Sequence, residues 1–247
     1  MKNQYFGDIN DYRKYGLLRS LQSIGDGRLL VAWMLTPDDG SRDGGRRSYL
    51  RDPDTWMRYD PTLFTGLAGM LGPPSVPEVS LIEMSPLLPR ASYYAAEVPD
   101  IREERDAWRQ GLLCAAHDSD LVFVDPDNGI EVPSKPVGRK GSSKYVTWRE
   151  VRDLWETGCS VLIYQHFRRE RRAMFAERLT SELRARVGAR FTAAFCTPHV
   201  LFLLAAQERS KDQLREGISV LTQRWKGEIK FTQPANTPLQ PTGSSRG

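Results

Sequence analysis

Residues 121–124 read Leu-Val-Phe-Val, and the next five read Asp-Pro-Asp-Asn-Gly. Four apolar residues in a row, bounded by turn chemistry, describe a strand covered on both faces, as in a mostly parallel sheet flanked by helices. Asp125 ends the strand, and Pro126 and Gly129 keep the chain from extending it. A carboxylate at the carboxyl end of a central parallel strand stands where open α/β sheets bind ligands. The same letters also serve ordinary turns, because Asp-Pro and Asn-Gly are common turn dipeptides. Two Asp and an Asn at one strand end tip the balance toward a site.

The rest of the chain alternates in the same way. Leu17, Leu21 and Ile24 share the face of a helix over 11–25, with Asn10 or Asp11 as its cap and Gly25 as its stop. An apolar strand over 28–35 runs into a polar loop over 36–45. A helix from Asp60 to Gly72 follows, then short strands over 79–84 and 93–98. Asp100 and Glu103 stand at capping-box spacing ahead of a helix to 116, as do Thr147 and Glu150 ahead of one ending at Gly158. After a strand over 161–164 and a helix over 169–187, strands over 191–195 and 200–205 are joined by four residues only, a hairpin. Leu214, Ile218, Leu221 and Trp225 mark a final amphipathic helix. This order predicts one three-layer Rossmann-like α/β domain over 1–232, its mostly parallel sheet ending in an antiparallel hairpin, with an extra C-terminal helix. The Pro-, Gly- and Ser-rich stretch 233–247 has almost nothing to bury and is expected to be disordered.

At 247 residues, 40% hydrophobic and 27% charged, the chain has the composition of a soluble globular protein. Cys114, Cys159 and Cys196 are far apart, which argues against a zinc cluster or a disulfide framework. No apolar run of about 18 residues is present, and the first eight residues lack a signal-peptide core, so a cytoplasmic protein without a membrane span is expected.

A lone hairpin closing a strand–helix series resembles class I S-adenosylmethionine-dependent methyltransferases, whose seventh strand is inserted antiparallel. Within that family, Asp125-Pro126-Asp127-Asn128 is similar to the Asp/Asn-Pro-Pro-aromatic motif with which adenine-N6 methyltransferases grip an exocyclic amine. The opening segment 6–15 looks like that of ribosomal-RNA adenine methyltransferases and of three-cysteine-motif partner proteins. The resemblance implies Asp125, Asp127 and Asn128 as catalytic residues, to which the strand-end His166 is added from its position, and S-adenosylmethionine as cofactor, held by Thr36, Asp38, Asp39 and Glu83. The chain departs from the pattern in two places. Its glycines after the first strand are displaced to Gly40, Gly44 and Gly45, and Asp127 replaces the second Pro.

Net charge is only +4, but its distribution is uneven. Loops that follow parallel strands emerge on one edge. Arg42, Arg46, Arg47 and Arg51 follow the first strand, Lys135, Arg139, Lys140 and Lys144 follow the Asp125 strand, and His166, Arg168, Arg169, Arg171 and Arg172 follow the 161–164 strand. Each alone reads as a solvated loop. Together they would ring the acidic corner and attract a polyanion, DNA or RNA, with Arg46, Arg47, Arg139, Lys140, Arg168 and Arg169 on its phosphates. The 138–143 string Gly-Arg-Lys-Gly-Ser-Ser offers backbone N–H groups to one phosphate. His166 reads as a base, a substrate holder or a structural histidine, and His199, in the hairpin turn, as structural.

Three functions are compatible with these readings. The first is a methyltransferase-like enzyme acting on a nucleic-acid base. The second is a nuclease or phosphodiesterase using Mg²⁺ or Mn²⁺ on Asp38, Asp39, Asp125, Asp127 and Glu131. The third is an inactive Rossmann-like nucleic-acid-binding domain. All require the 36–39 turn, the 125–128 corner and the exit at His166 to share one rim.

Overall fold

The computed structural model describes residues 1–38, 40, 44–73 and 76–233. Its helices are α1 (Ile9–Leu21), α2 (Pro53–Trp56), α3 (Pro61–Met70), α4 (Ser80–Glu83), α5 (Arg102–Ala116), α6 (Trp148–Glu156), α7 (Arg172–Val187) and α8 (Lys211–Arg224). The strands are β1 (Leu29–Ala32), β2 (Ala91–Tyr94), β3 (Leu121–Val124), β4 (Gly129–Ile130), β5 (Tyr145–Val146), β6 (Ser160–His166), β7 (Phe191–Cys196), β8 (Val200–Ala206) and β9 (Lys230–Thr232). Among the described residues seven strands form one sheet in the order β2-β1-β3-β6-β8-β7-β9. β2, β1, β3 and β6 are parallel, and β8 lies antiparallel between β6 and β7. The fold is α/β with a mostly parallel sheet, consistent with a Rossmann-like architecture.

Strand parity distributes the core. Leu29, Val31, Leu121, Phe123, Leu162 and Tyr164 face one layer, built on α1, α3 and α8. Leu30, Ala32, Val122, Val124, Val161 and Ile163 face the other, built on α5, α6 and α7. Because side chains alternate along a strand, the next residues are committed as well: Asp125 and His166 fall on the α1 side and Gln165 on the opposite side.

In the first layer, α1 packs on α8 and α3. Gly16 brings the α1 backbone against the fully buried Trp225 indole, where a Cβ would overlap the ring. In the second, Arg105 of α5 donates from Nε and one terminal nitrogen to the Glu150 carboxylate at 2.6 and 2.8 Å, and to the carbonyl of Tyr145. Glu150 also closes the predicted capping box with Thr147. Buried on both sides, this pair is bound to a rigid fork geometry that Lys would not reproduce.

The 79–84 segment is a helical turn rather than the expected strand. Its buried residues are Val79 and Ile82, spaced by three, and β2 already fills the sheet edge beside β1. A short apolar run does not distinguish the two conformations by periodicity. The second short strand is β2, slightly earlier than expected, with an isolated Leu35–Glu97 bridge beyond it. Helix α5 begins at Arg102 without a side-chain cap, so the expected Asp100 capping box is not formed. The expected tail lies outside the described residues from position 234 onward. No helix among the described residues is long and apolar enough to cross a membrane.

Gly16→Ala is expected to cost about 1–2 kcal/mol, because overpacking against Trp225 outweighs the roughly 1 kcal/mol of improved helix propensity. Urea denaturation would report this as a lower midpoint at unchanged slope.

Candidate functional site

A cavity of about 690 Å³ opens at the carboxyl ends of β3 and β6, on the α1 side of the sheet. Its floor is ionic. Asp125, 2% exposed, accepts a hydrogen bond from the Lys14 ammonium at 2.7 Å, and Lys14 also pairs with Asp11 one helical turn earlier at 2.6 Å. Burial alone would depress the pKa of Lys14, but the two facing carboxylates outweigh it and the pKa rises, so the ammonium stays charged. Burial raises that of Asp125 despite Lys14. Asp8, at the N-cap of α1, and Asp11 and Lys14 within it lie at intervals of three and so share the helix face that meets Asp125.

The N-terminal residue occupies the crevice between β1 and β3. The Met1 amine donates to the carbonyls of Met34 and Asp125, both at 3.1 Å, and pairs with the Asp127 carboxylate at 2.6 Å. The carbonyl of Met1 accepts from the Thr36 N–H at 3.0 Å. Thr36 in turn donates its hydroxyl to Asp127 at 2.7 Å. Burial lowers the pKa of the amine, against the pull of Asp127 and Asp125. The 125–128 corner and the His166 exit therefore line one cavity, and Thr36 adjoins it behind Asp127 without lining it.

Gln165 holds the corner in place from the other side of the sheet. Its side-chain carbonyl accepts from the Ile130 N–H at 2.8 Å, and its amide donates to the carbonyls of Asn128 and His166. Gly129, at φ +113°, lies so close to this amide that a Cβ would overlap it. A glycine is required here both for its conformation and for the close approach. Beyond it, β4 pairs with β5, and the Asn128 N–H bonds the Lys144 carbonyl at 2.9 Å, which brings Lys144 to the rim. Asn128 lines the cavity. Beside it, the His166 ring stands edge-on to Tyr164 at 5.2 Å between centroids. Burial lowers the His166 pKa, with Asp127 opposing.

Asp8 caps α1, accepting from the N–H groups of Asn10 and Asp11 at 2.8 and 2.9 Å, and lines the same cavity. Burial and the neighbouring Asp11 charge push its pKa up to about 7.

The expected residues divide sharply. Asp125, Asp127, Asn128, His166 and Arg46 reach the cavity. Glu83 does not, since its carboxylate accepts from the Trp33 indole at 2.6 Å. Asp38 accepts from the Gln4 N–H at 3.4 Å, and Asp39 and Arg42 lie outside the described residues. Arg47 is turned inward to the carbonyls of Gln4 and Phe6, and Arg168 reaches the carbonyl of Ile130. Arg139 bonds the Ser134 carbonyl, while Lys140 and Arg169 are exposed away from the cavity wall. The 138–143 loop does cradle an anion, but it is the protein's own. The Asp100 carboxylate takes the N–H groups of Gly141 and Ser143, both at 2.7 Å, and the Ser142 hydroxyl. These bonds lower the pKa of Asp100 despite its burial. Glu131 caps the start of α6 through the Trp148 N–H, and among the described residues no three His, Cys, Asp or Glu side chains are grouped to hold a metal ion.

Sequence reasoning missed Lys14, Asp8, Tyr164 and His199. The last was expected to be structural, yet it lines the cavity mouth on the β7–β8 turn that Thr197 ties together. No protein-family model matches the chain, and no curated protein matches it.

Lys14→Met would leave Asp11 and Asp125 buried without their cation, at a cost of about 3–5 kcal/mol. Adding Asp125→Asn is expected to return part of that loss in urea denaturation, since the uncompensated charge is the main penalty. Asp8 predicts a pH effect. Between about pH 4 and 7 the folded chain retains a proton on Asp8 that the unfolded chain releases, so stability falls as pH rises through that window. Asp8→Asn keeps the helix cap and removes the titration. Thermal melts from pH 4 to 8 should show a shallower decline for this variant.

Proposed function

We propose that the cavity binds a nucleotide unit of a nucleic acid, its phosphate at the mouth and its base against Asn128 and His166. The observation that carries this reading is an imbalance of pairing. Asp11 and Asp125 share the Lys14 ammonium and Asp127 pairs with the Met1 amine, whereas Arg46 and Lys144 at the rim have no ion-pair or side-chain hydrogen-bond partner among the described residues. Such a cavity attracts anions. Its volume of about 690 Å³ is large for a lone phosphate. Asn128 offers one donor and one acceptor group side by side, the combination that pairs with the edge of adenine.

Methyl transfer to the bound base is a second reading, favoured by the antiparallel β8 inserted between β6 and β7. The residues present do not fit S-adenosylmethionine as they stand. Met1 fills the crevice between β1 and β3, and Glu83 and Thr36 are engaged by Trp33 and Asp127. Calorimetry with S-adenosylmethionine separates the two readings: heat of binding would favour transfer, and its absence at millimolar ligand would leave nucleotide binding alone.

Isothermal titration with nucleoside 5′-monophosphates tests the first reading. Arg46→Glu and Lys144→Glu should each lower affinity about tenfold or more and flatten its salt dependence. Desolvation at the cavity wall holds the pKa of His166, and partial desolvation with the Arg13, Arg46 and Arg172 charges that of His199, below the ordinary value of 6.5, so both rings gain charge on acidification. Affinity should therefore rise as pH is lowered below the ordinary histidine range. Wild-type protein that gives no signal with any mononucleotide at millimolar concentration would sink the proposal.

A further inference from the structure

A second cavity of about 540 Å³ adjoins the first. Their walls are consecutive residues: His166 lines the first and Phe167 the second, and on the facing turn His199 lines the first while Thr197 and Pro198 line the second. The exit of β6 and the β7–β8 turn thus form one ridge with a cavity on either side. The ridge is positively charged on both flanks. Desolvation, the Arg13 guanidinium and then those of Arg46, on the first cavity, and Arg172, on the second, hold the pKa of His199 down against Glu228.

The two cavities differ in chemistry. The second presents the half-buried Phe167 ring with the Arg172 guanidinium 5.0 Å over it, and Ala173, Ala176 and Pro198 give it apolar walls. Its Glu228 is neutralised by Arg13, and Lys230 is exposed at its edge. Glu177 also lines it, so the interior suits a flat uncharged ring better than a phosphate. A guanidinium held over an aromatic ring can itself stack with a base, and the cations on the ridge are placed for the phosphate between two bases.

Resting on the nucleotide reading above, we propose that the ligand is single-stranded nucleic acid crossing this ridge, with one base in each cavity and the intervening phosphate near His199, Arg46 and Arg172. A duplex cannot satisfy this arrangement, because its bases are paired and stacked inward and cannot enter two separate cavities.

Fluorescence anisotropy at fixed salt, with labelled single-stranded tetranucleotides of DNA and of RNA, tests the proposal against 5′-mononucleotides and a blunt duplex as competitors. The tetranucleotides should bind about tenfold or more tighter than either competitor, the gain expected from stacking one further base. Lys230→Glu, an exposed change, and Phe167→Ala should each remove most of that gain while mononucleotide affinity stays within about twofold of wild type. Equal binding of tetranucleotide and mononucleotide, equal binding of duplex, or an unaltered tetranucleotide affinity in Lys230→Glu overturns the two-cavity path and leaves the single-nucleotide site standing. Failure of mononucleotide and tetranucleotide alike overturns the nucleotide reading itself. A preference for the RNA over the DNA tetranucleotide, or its reverse, assigns the strand chemistry within the supported outcome.

Discussion

Lys14 is buried between Asp11 and Asp125, and the junction of α1 with the carboxyl end of β3 depends on that arrangement. A buried ion pair adds little to net stability compared with an apolar core of the same volume, yet removing one member is costly because the remaining charge has no water to return to. The arrangement therefore acts chiefly as a constraint of position. It sets where α1 lies over the sheet, and α1 carries Asp8 to the cavity wall and, through the Ile9 N–H bonded to the Arg46 carbonyl, holds the loop that supplies Arg46.

The same constraint determines the electrostatic character of the site. Acidic residues at the end of a central strand suggest a site for cations or amines, and the sequence invites that reading. In the structure Asp125 faces Lys14 and Asp127 faces the Met1 amine, while Arg46 and Lys144 at the mouth have no ion-pair partner among the described residues. The sign presented to a ligand is a property of the pairing in three dimensions. Counting the acids of the Asp-Pro-Asp-Asn corner gives the opposite sign.

Gln165 and Gly129 show how the two faces of the sheet cooperate at one corner. Parity sends Gln165 to the layer opposite Lys14, where its amide replaces the backbone partners that the turn after β3 lacks. With the corner held from both sides, Asn128 and Lys144 are presented to the cavity by backbone hydrogen bonding rather than by flexible loops. The 138–143 loop follows a similar logic, since Asp100 satisfies N–H groups that the sequence alone left open to an external phosphate.

By itself the sequence determined the alternation of strands and helices, the buried parallel β3 with Asp125 at its end, the closing hairpin and the capping box at Thr147, because each is written in periodicity and turn chemistry within about 15 residues. It also brought the 125–128 and 166 segments to one cavity, with Thr36 adjoining it, since parallel strands emit their loops on one edge. Only the tertiary structure decided which charged groups face each other there. Lys14 lies 111 positions from Asp125, and Glu83 meets Trp33 across 50. Distances of that kind are set by how α1 and α4 pack on the sheet, and local sequence carries no record of them.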